Sequence, residues 1–288
     1  MPDKVTVAEK LPVSSFKLHG WIGLVIMAVS QVLLIRDHSL IKTWFTPLMW
    51  TGYVLFLDAL IYRIQQKSYV VNYLRSFLFM LGYSIICWLM FEGYNLHLKN
   101  WAYVGLPENL FVRSIGYVWA FATIFPGILF TSKIIDLTGI FEKIKIKSLS
   151  ITAKFLIILF AVGLIFVLFP LMVPANVAVY LFALVWVGFI FLLEPINYLI
   201  GAKSLLRDLE DGKLAKWLSL FLSGIICGFL WEFWNYWSTA KWVYVFPFLT
   251  RPKIFEMPLF GFLGFLPFAV EVYVMWNLAV AVLKLEKL

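Results

Sequence analysis

Eight apolar stretches, each about 20 residues long, follow one another along this chain of 288 residues. They lie at 19–35, 44–62, 76–97, 114–132, 153–173, 177–199, 214–237 and 257–283. A helix needs about 20 mostly apolar residues to cross a bilayer, and backbone in lipid must satisfy its own hydrogen bonds. The chain is therefore predicted to be an all-α, polytopic integral membrane protein with about eight transmembrane helices.

The composition agrees with that class and excludes others. Hydrophobic residues make up 62% of the chain and charged residues 14%, with a mean hydropathy of +0.90, whereas soluble domains are roughly 45–50% apolar and about 25% charged. The net charge of +8 comes from basic residues in the loops between apolar stretches. That distribution indicates membrane topology rather than nucleic-acid binding, so we expect the membrane as a partner and no nucleic acid.

The basic residues also predict an orientation. With the N-terminus inside, the inner segments hold 17 lysines and arginines and the outer segments hold 7. Because cytoplasmic loops are enriched in Lys and Arg, both chain ends are predicted to be cytoplasmic, in a plasma (inner) membrane.

The second half of the chain resembles the first half. Eight identities relate 85–104 to 225–245: Ile85/Ile225, Ile86/Ile226, Cys87/Cys227, Glu92/Glu232, Asn95/Asn235, Trp101/Trp242, Tyr103/Tyr244 and Val104/Val245. Upstream, 58–62 aligns with 194–198 and places an acid four residues before a tyrosine in both copies. We expect two four-helix repeats, 1–140 and 141–288, within one compact membrane domain. An even number of spans per repeat makes the copies parallel.

Carboxylates within the predicted spans are the first candidates for function, because an acid in hydrocarbon costs roughly 2.5–3.5 kcal/mol on insertion scales. They are Asp58, Glu92, Glu194, Glu232 and Glu271, with Glu256 at the entrance of the last span. Helical spacing places Asn235 and Tyr236 on the face of Glu232, and Asn95 on the face of Glu92. A buried acid beside an amide donor can act as a general acid. Structural pairing within the bundle is the alternative.

Large aromatic residues surround Glu232 along 229–237. An aromatic belt at the membrane interface is one interpretation, and a pocket whose ring faces stabilise a cation is the other. For the second interpretation the candidate catalytic residues are Glu232, Glu256, Glu271 and Asn235. The candidate substrate-binding residues are Trp231, Trp234, Tyr236, Trp242, Tyr244, Glu92 and Asn95.

Motifs for cofactors are lacking. The three histidines, His19, His38 and His97, have no metal-ligand spacing, and the sequence contains no Gly-rich phosphate loop, nucleophile elbow or Cys-x-x-Cys pair. We expect no metal and no cofactor.

The order of residues in the second copy resembles a known family. Trp231-Glu232, then Trp242-Val243-Tyr244, then 255–260 with Pro267 and Glu271, is similar to the membrane-embedded lycopene (carotenoid) cyclase domain. The resemblance implies tandem units and a polyene substrate acted on by Glu232 and Glu256. The chain departs from the family pattern because Pro258 follows a single acid and each unit has four spans rather than three.

Three functions follow from these patterns. The first is a non-redox isomerase or cyclase of carotenoid or terpene type that acts on an isoprenoid or other lipid, started by protonation from Glu232 with Glu256 or Glu271 as partner. The second is a transporter of a small solute or proton, and the third is a lipid-binding membrane protein without catalysis.

Overall fold

The computed structural model describes residues 15–286. The predicted cytoplasmic chain ends fall at 1–14 and 287–288, outside the described residues. The helices are α1 (Leu18–Ile35), α2 (Ser39–Gln65), α3 (Tyr69–Asn72), α4 (Leu74–Leu98), α5 (Leu110–Ala122), α6 (Ile124–Thr138), α7 (Ala153–Met172), α8 (Ala175–Ala178), α9 (Phe182–Leu199), α10 (Leu205–Glu210), α11 (Ala215–Trp237) and α12 (Phe265–Leu283). The short strands are β1 (Trp101–Val104), β2 (Lys241–Tyr244), β3 (Lys253–Ile254) and β4 (Met257–Pro258), and a 3₁₀ turn covers Leu259–Gly264.

Eight helical segments of the described chain are long and apolar enough to cross a membrane. Six are single helices, the fourth combines α5 with α6, and the eighth combines the 3₁₀ turn with α12. The predicted all-α class with eight spans is confirmed, and the chain is an integral membrane protein. The boundaries differ locally: the fourth span continues to Thr138 rather than ending at 132, and the sixth begins at Phe182 because α8 forms a separate turn.

Consecutive spans run through the bundle in opposite directions, so their connecting loops lie on two sides. We call the side where α1 begins and α12 ends the proximal side, and it carries the loops at 66–73, 139–152 and 200–214. The distal side carries the loops at 36–38, 99–109, 173–181 and 238–258.

Four spans form the centre of the bundle. The spans that contain α2, α6 and α12 are each 61% buried over their most apolar stretch and that of α11 is 50% buried, whereas those of α1 and α7 are 22% buried. Helix α11 packs against α2, α6 and α12, and α1 and α7 pack on α2 and α9 respectively. The exposed apolar faces of α1 and α7 are therefore the surfaces suited to lipid.

Glycines allow the two outer helices to approach their neighbours closely. A Cβ on Gly23 of α1 would lie 2.4 Å from the carbonyl oxygen of Gly52 on α2. A Cβ on Gly163 of α7 would lie 2.3 Å from the backbone nitrogen of Leu192 on α9. The pairs α1–α2 and α7–α9 thus use the same small-residue packing.

Asp58 anchors the first proximal loop. Its Oδ1 accepts hydrogen bonds from the backbone N–H groups of Tyr69 (2.9 Å) and Val70 (3.2 Å), and its Oδ2 lies 3.1 Å from His19 Nε2. Ser68, the residue before α3, accepts a bond from Val71 N–H. The carboxylate therefore caps the short helix that follows the second span.

Glu194 anchors the equivalent loop after the sixth span. Its Oε1 accepts hydrogen bonds from Ser204 Oγ (2.6 Å) and from the backbone N–H of Leu206 (3.0 Å). Ser204 precedes α10 and accepts a bond from Arg207 N–H. These contacts account for both acids through structural pairing.

Candidate binding cavity

A small two-stranded sheet joins the two halves of the chain on the distal side. Strands β1 and β2 pair antiparallel, with Trp101 opposite Tyr244 and Tyr103 opposite Trp242. Because side chains alternate along a strand, these four aromatic residues share one face of the sheet. We call these four side chains the aromatic roof, since all four line the cavity described below.

Glu92 supports the first half of the aromatic roof. Its Oε1 accepts hydrogen bonds from Trp88 Nε1 (2.9 Å), Trp101 Nε1 (3.1 Å) and Tyr103 OH (2.5 Å). Asn95, one helical turn further along α4, donates through Nδ2 to the carbonyl oxygen of Trp101 at 2.8 Å and accepts from its N–H at 3.1 Å. The helix α4 therefore fixes both the rings and the backbone of β1.

Glu232 supports the second half in the same way. Its Oε1 accepts hydrogen bonds from Trp242 Nε1 (3.2 Å) and Tyr244 OH (2.7 Å). Asn235 donates through Nδ2 to the carbonyl oxygen of Trp242 at 2.9 Å and accepts from its N–H at 3.0 Å. Glu232 is fully buried, and its Oε2 has no hydrogen-bond partner in the described chain.

The two roof tyrosines act as hydrogen-bond donors. Burial raises the pKa of Tyr103 well above 10, and the nearby Glu92 carboxyl raises it further. Burial, then Glu232, has the same effect on the pKa of Tyr244. Both hydroxyls therefore keep their protons at neutral pH and donate them towards the carboxyl groups.

Beneath the aromatic roof lies a cavity of about 480 Å³. It is bounded by α2, α4, α5, α9, α11 and the start of α12, and most of its wall is apolar. Besides the roof, its aromatic lining consists of Trp44, Trp50, Trp88, Tyr117, Phe121, Phe182, Trp186, Trp231, Phe246, Phe248, Phe260, Phe265 and Phe268. A ring-lined cavity of this size, with few polar groups, suits an apolar or amphiphilic small molecule.

Two cations and no carboxylate belong to the cavity wall formed by the described residues. Lys241 donates to Glu256 Oε1 at 2.6 Å, so its charge is partly matched. Arg113 donates through Nε to the carbonyl oxygen of Pro107 at 2.9 Å, and no described acid forms an ion pair with it. The free edge of the Arg113 guanidinium is available to an anionic group.

Three of the predicted site residues line the cavity: Trp231, Trp242 and Tyr244. Glu232 lies behind the last two and meets the cavity only through their polar hydrogens. Asn235, Glu92 and Asn95 hold the strands in place, as described above.

The remaining predicted residues lie elsewhere. Trp234 is buried against Trp50, with ring centroids 4.9 Å apart, and Tyr236 is exposed beside Phe255. Glu256 accepts a hydrogen bond from Lys241 at 2.6 Å.

Glu271 does not join the other acids. It is fully buried on α12, and neither of its oxygens has a hydrogen-bond partner among residues 15–286. It does not line the aromatic cavity. Among the described residues, therefore, no hydrogen bond joins Glu232 to Glu256 or to Glu271.

Sequence reasoning missed important lining residues. Trp50, Trp88, Trp186 and Phe268 come from four different spans, and nothing in their local pattern distinguishes them from aromatic residues that face lipid. Arg113 offered a signal, since it is a lone cation at the entrance of the fourth predicted span. Loops between spans are also rich in basic residues, so this signal alone does not indicate a binding role.

The chain offers no metal centre within its described part, where no group of three or more His, Cys, Asp and Glu side chains could hold an ion. No protein-family model matches the chain, and neither does any curated protein or solved structure.

Proposed function

We propose that this membrane protein binds a lipid-like amphiphile, an isoprenoid or a molecule of similar shape, in the distal aromatic cavity. The observation that carries the proposal is the wall that the described residues form: it is mostly apolar, includes 17 aromatic side chains and two cations, and contains no carboxylate. The apolar part of the ligand gains the free energy of leaving water or disordered lipid for packed rings, at about 25 cal/mol per Å² relative to water.

The cations suggest how the ligand is oriented. An anionic or strongly polar head group would pair with the free edge of Arg113, near the aromatic roof. The apolar tail of the ligand would lie against the tryptophans deeper in the bundle. Lys241 is held by Glu256 and contributes less.

Occupancy of the cavity can be tested by filling it. Ala120 lines the cavity, and Ala153 lies on the exposed surface of α7, so Ala120→Phe and Ala153→Phe form a matched pair. Mass spectrometry of extracts from the purified protein should find a co-purifying amphiphile in the wild type and in Ala153→Phe. We expect at least a severalfold loss in Ala120→Phe. Equal amounts in all three proteins would refute binding in this cavity.

Acid-initiated isomerisation or cyclisation is a second candidate, and one contact favours it. Tyr244 lines the cavity and donates to the buried Glu232, so it connects a bound alkene to a carboxyl group. Tyr244 would give its proton to an alkene carbon and recover one from protonated Glu232. Loss of a proton from a neighbouring carbon to the same pair would restore the acid, and the rings would stabilise the intermediate cation.

The two-repeat organisation, 1–140 and 141–288, is part of this proposal. It is supported by the equivalent hydrogen bonds of Glu92 and Glu232, of Asn95 and Asn235, and by the capping acids of the two proximal loops. The cavity would then lie between two related halves, each of which supplies one strand of the roof.

A cytoplasmic proximal side in a plasma (inner) membrane is likewise proposed, on the excess of lysine and arginine there. Cysteine labelling at an exposed loop position on each side, for example Ser148 and Glu108, would test the orientation in intact cells.

A further inference from the structure

A second cavity, of about 420 Å³, opens on the proximal side between α6, α10, α11 and α12. It lies where the spans Leu110–Thr138 and Ala215–Trp237 reach their proximal ends. This is the level at which lipid phosphate groups meet a membrane protein. No residue lines both this proximal cavity and the distal aromatic cavity.

Charge distinguishes this cavity from the distal one. Its charged lining residues are Lys133, Lys203, Arg207 and Lys216, with Asp136, Asp208 and Asp211. Asp136 pairs with Lys216 at 2.7 Å, and Asp211 pairs with the neighbouring Lys213 at 2.7 Å. Lys133 and Arg207 form no ion pair with any described residue and face the single acid Asp208, so the cavity carries an excess of positive charge.

Lys133 is the least satisfied of these cations. It is half-buried on α6, and its ammonium group makes neither a hydrogen bond nor an ion pair with any residue of 15–286. The neighbouring Asp136 carboxylate is already bonded to Lys216, which also donates to Ser132. A partly buried ammonium without a partner is costly, and a bound anion would supply that partner.

Contacts with Tyr198 fix the position of the Arg207 side chain at the cavity wall. Its guanidinium lies over the ring of Tyr198, 4.4 Å from the centroid, and one terminal nitrogen donates to the carbonyl oxygen of Tyr198 at 3.2 Å. These contacts leave the other N–H groups of the fork for a ligand. A planar fork of this kind suits the oxygens of a phosphate.

The remaining acid of the wall is Asp208. Burial raises the pKa of Asp208, and the nearby Lys213 only partly offsets that rise. Protonation of Asp208 is therefore easier than that of a fully solvated aspartate.

We propose that the proximal cavity binds a phosphate group, held by Lys133 and Arg207 with Lys203 and Lys216 beside them. The group is either the head of an anionic lipid from the adjoining leaflet or a soluble phosphate. The apolar floor formed by Leu129, Phe130 and Trp276 accommodates the first carbons next to a lipid head.

Binding is measured by calorimetry on the purified full-length protein in a neutral detergent. The probes are dioctanoyl phosphatidic acid, dioctanoyl phosphatidylcholine and inorganic phosphate. Lys133→Gln and Arg207→Gln are compared with Lys143→Gln, an exposed lysine of the 139–152 loop. Each cavity variant removes a charged donor, so we expect affinity for the bound probe to fall about tenfold or more, and Lys143→Gln to bind as the wild type does.

Tight binding of phosphatidic acid alone identifies a lipid head, and comparable binding of inorganic phosphate identifies a soluble ligand. Either result supports the site when the cavity variants weaken it. Absence of binding by both phosphatidic acid and inorganic phosphate, or equal affinities in Arg207→Gln and Lys143→Gln, would overturn the proposal. Arg207 is exposed, so its variant reports on binding even where Lys133→Gln fails to fold.

Discussion

The pair Glu232→Gln and Glu232→Leu separates a catalytic role of this acid from a structural one. Glutamine keeps an oxygen that can accept the bonds from Trp242 and Tyr244, but it has no acidic proton. We expect Glu232→Gln to fold with a free energy of unfolding within about 1 kcal/mol of the wild type. A product formed by acid catalysis should fall at least about 100-fold.

Leucine at the same position removes the acceptor as well. The indole N–H of Trp242 keeps Tyr244 OH as an alternative partner at 3.1 Å. The Tyr244 hydroxyl is then the donor left without an acceptor. One buried unsatisfied donor costs about 1–3 kcal/mol, so Glu232→Leu should be destabilised by about that amount.

Each variant would be expressed in cells from which the native gene is deleted, and their lipid extracts would be analysed for the product. Unfolding of the purified variants in mixed detergent would give their stability. Glu92→Gln is the matched control, because Glu92 accepts the equivalent bonds in the first half. We expect it to retain product. If Glu232→Gln makes the wild-type amount, or if Glu232→Gln and Glu92→Gln lose product equally, then Glu232 does not supply the proton for the reaction.

Three further outcomes test the packing. Replacing Asn235 or Asn95 by alanine should cost about 2–4 kcal/mol, because each leaves buried backbone groups of a roof strand unpaired; an unfolding titration that shows no loss would contradict this. A raised pKa of Tyr244 stabilises the fold below pH about 10, and this stabilisation is lost at higher pH. Tyr244→Phe should therefore flatten the fall in melting temperature at alkaline pH. An unchanged pH profile would argue against a buried, protonated Tyr244 hydroxyl. Gly163→Ala should destabilise by about 1–3 kcal/mol through its clash with α9, whereas Gly82→Ala, with open space around it, should not; equal melting temperatures would refute the close approach.

The eight spans were predictable from the sequence because hydropathy over about 20 residues is a local property. Boundaries were less predictable. Helix α6 reaches Thr138 although Lys133 and Asp136 interrupt the apolar pattern, and Asp136 is accommodated by its ion pair with Lys216. That partner lies 80 residues away and has no local signal.

The candidate site was only half predictable. The internal similarity identified the aromatic residues of both roof strands, but the pairing of β1 with β2 brings together segments that lie far apart in the chain. Hydropathy also does not tell which side of a helix faces a cavity, so Trp50 and Trp186 gave no signal. The expectation that the acids themselves would contact a ligand assumed that they point into the cavity, whereas aromatic donors stand between.

Glu92 and Glu232 occupy equivalent positions but differ in their hydrogen bonds and burial. Both acids accept bonds from a tryptophan and a tyrosine of the roof, so fixing the strands explains their presence in both halves. Glu92 has a third donor in Trp88 and remains partly exposed. Glu232 lacks that donor, is fully buried and keeps one oxygen unpaired. The hydrogen bonds that the two acids share are explained by their role in holding the roof strands. Chemistry specific to the second half must therefore depend on a feature that Glu92 lacks, and that feature is the unpaired Oε2 of Glu232.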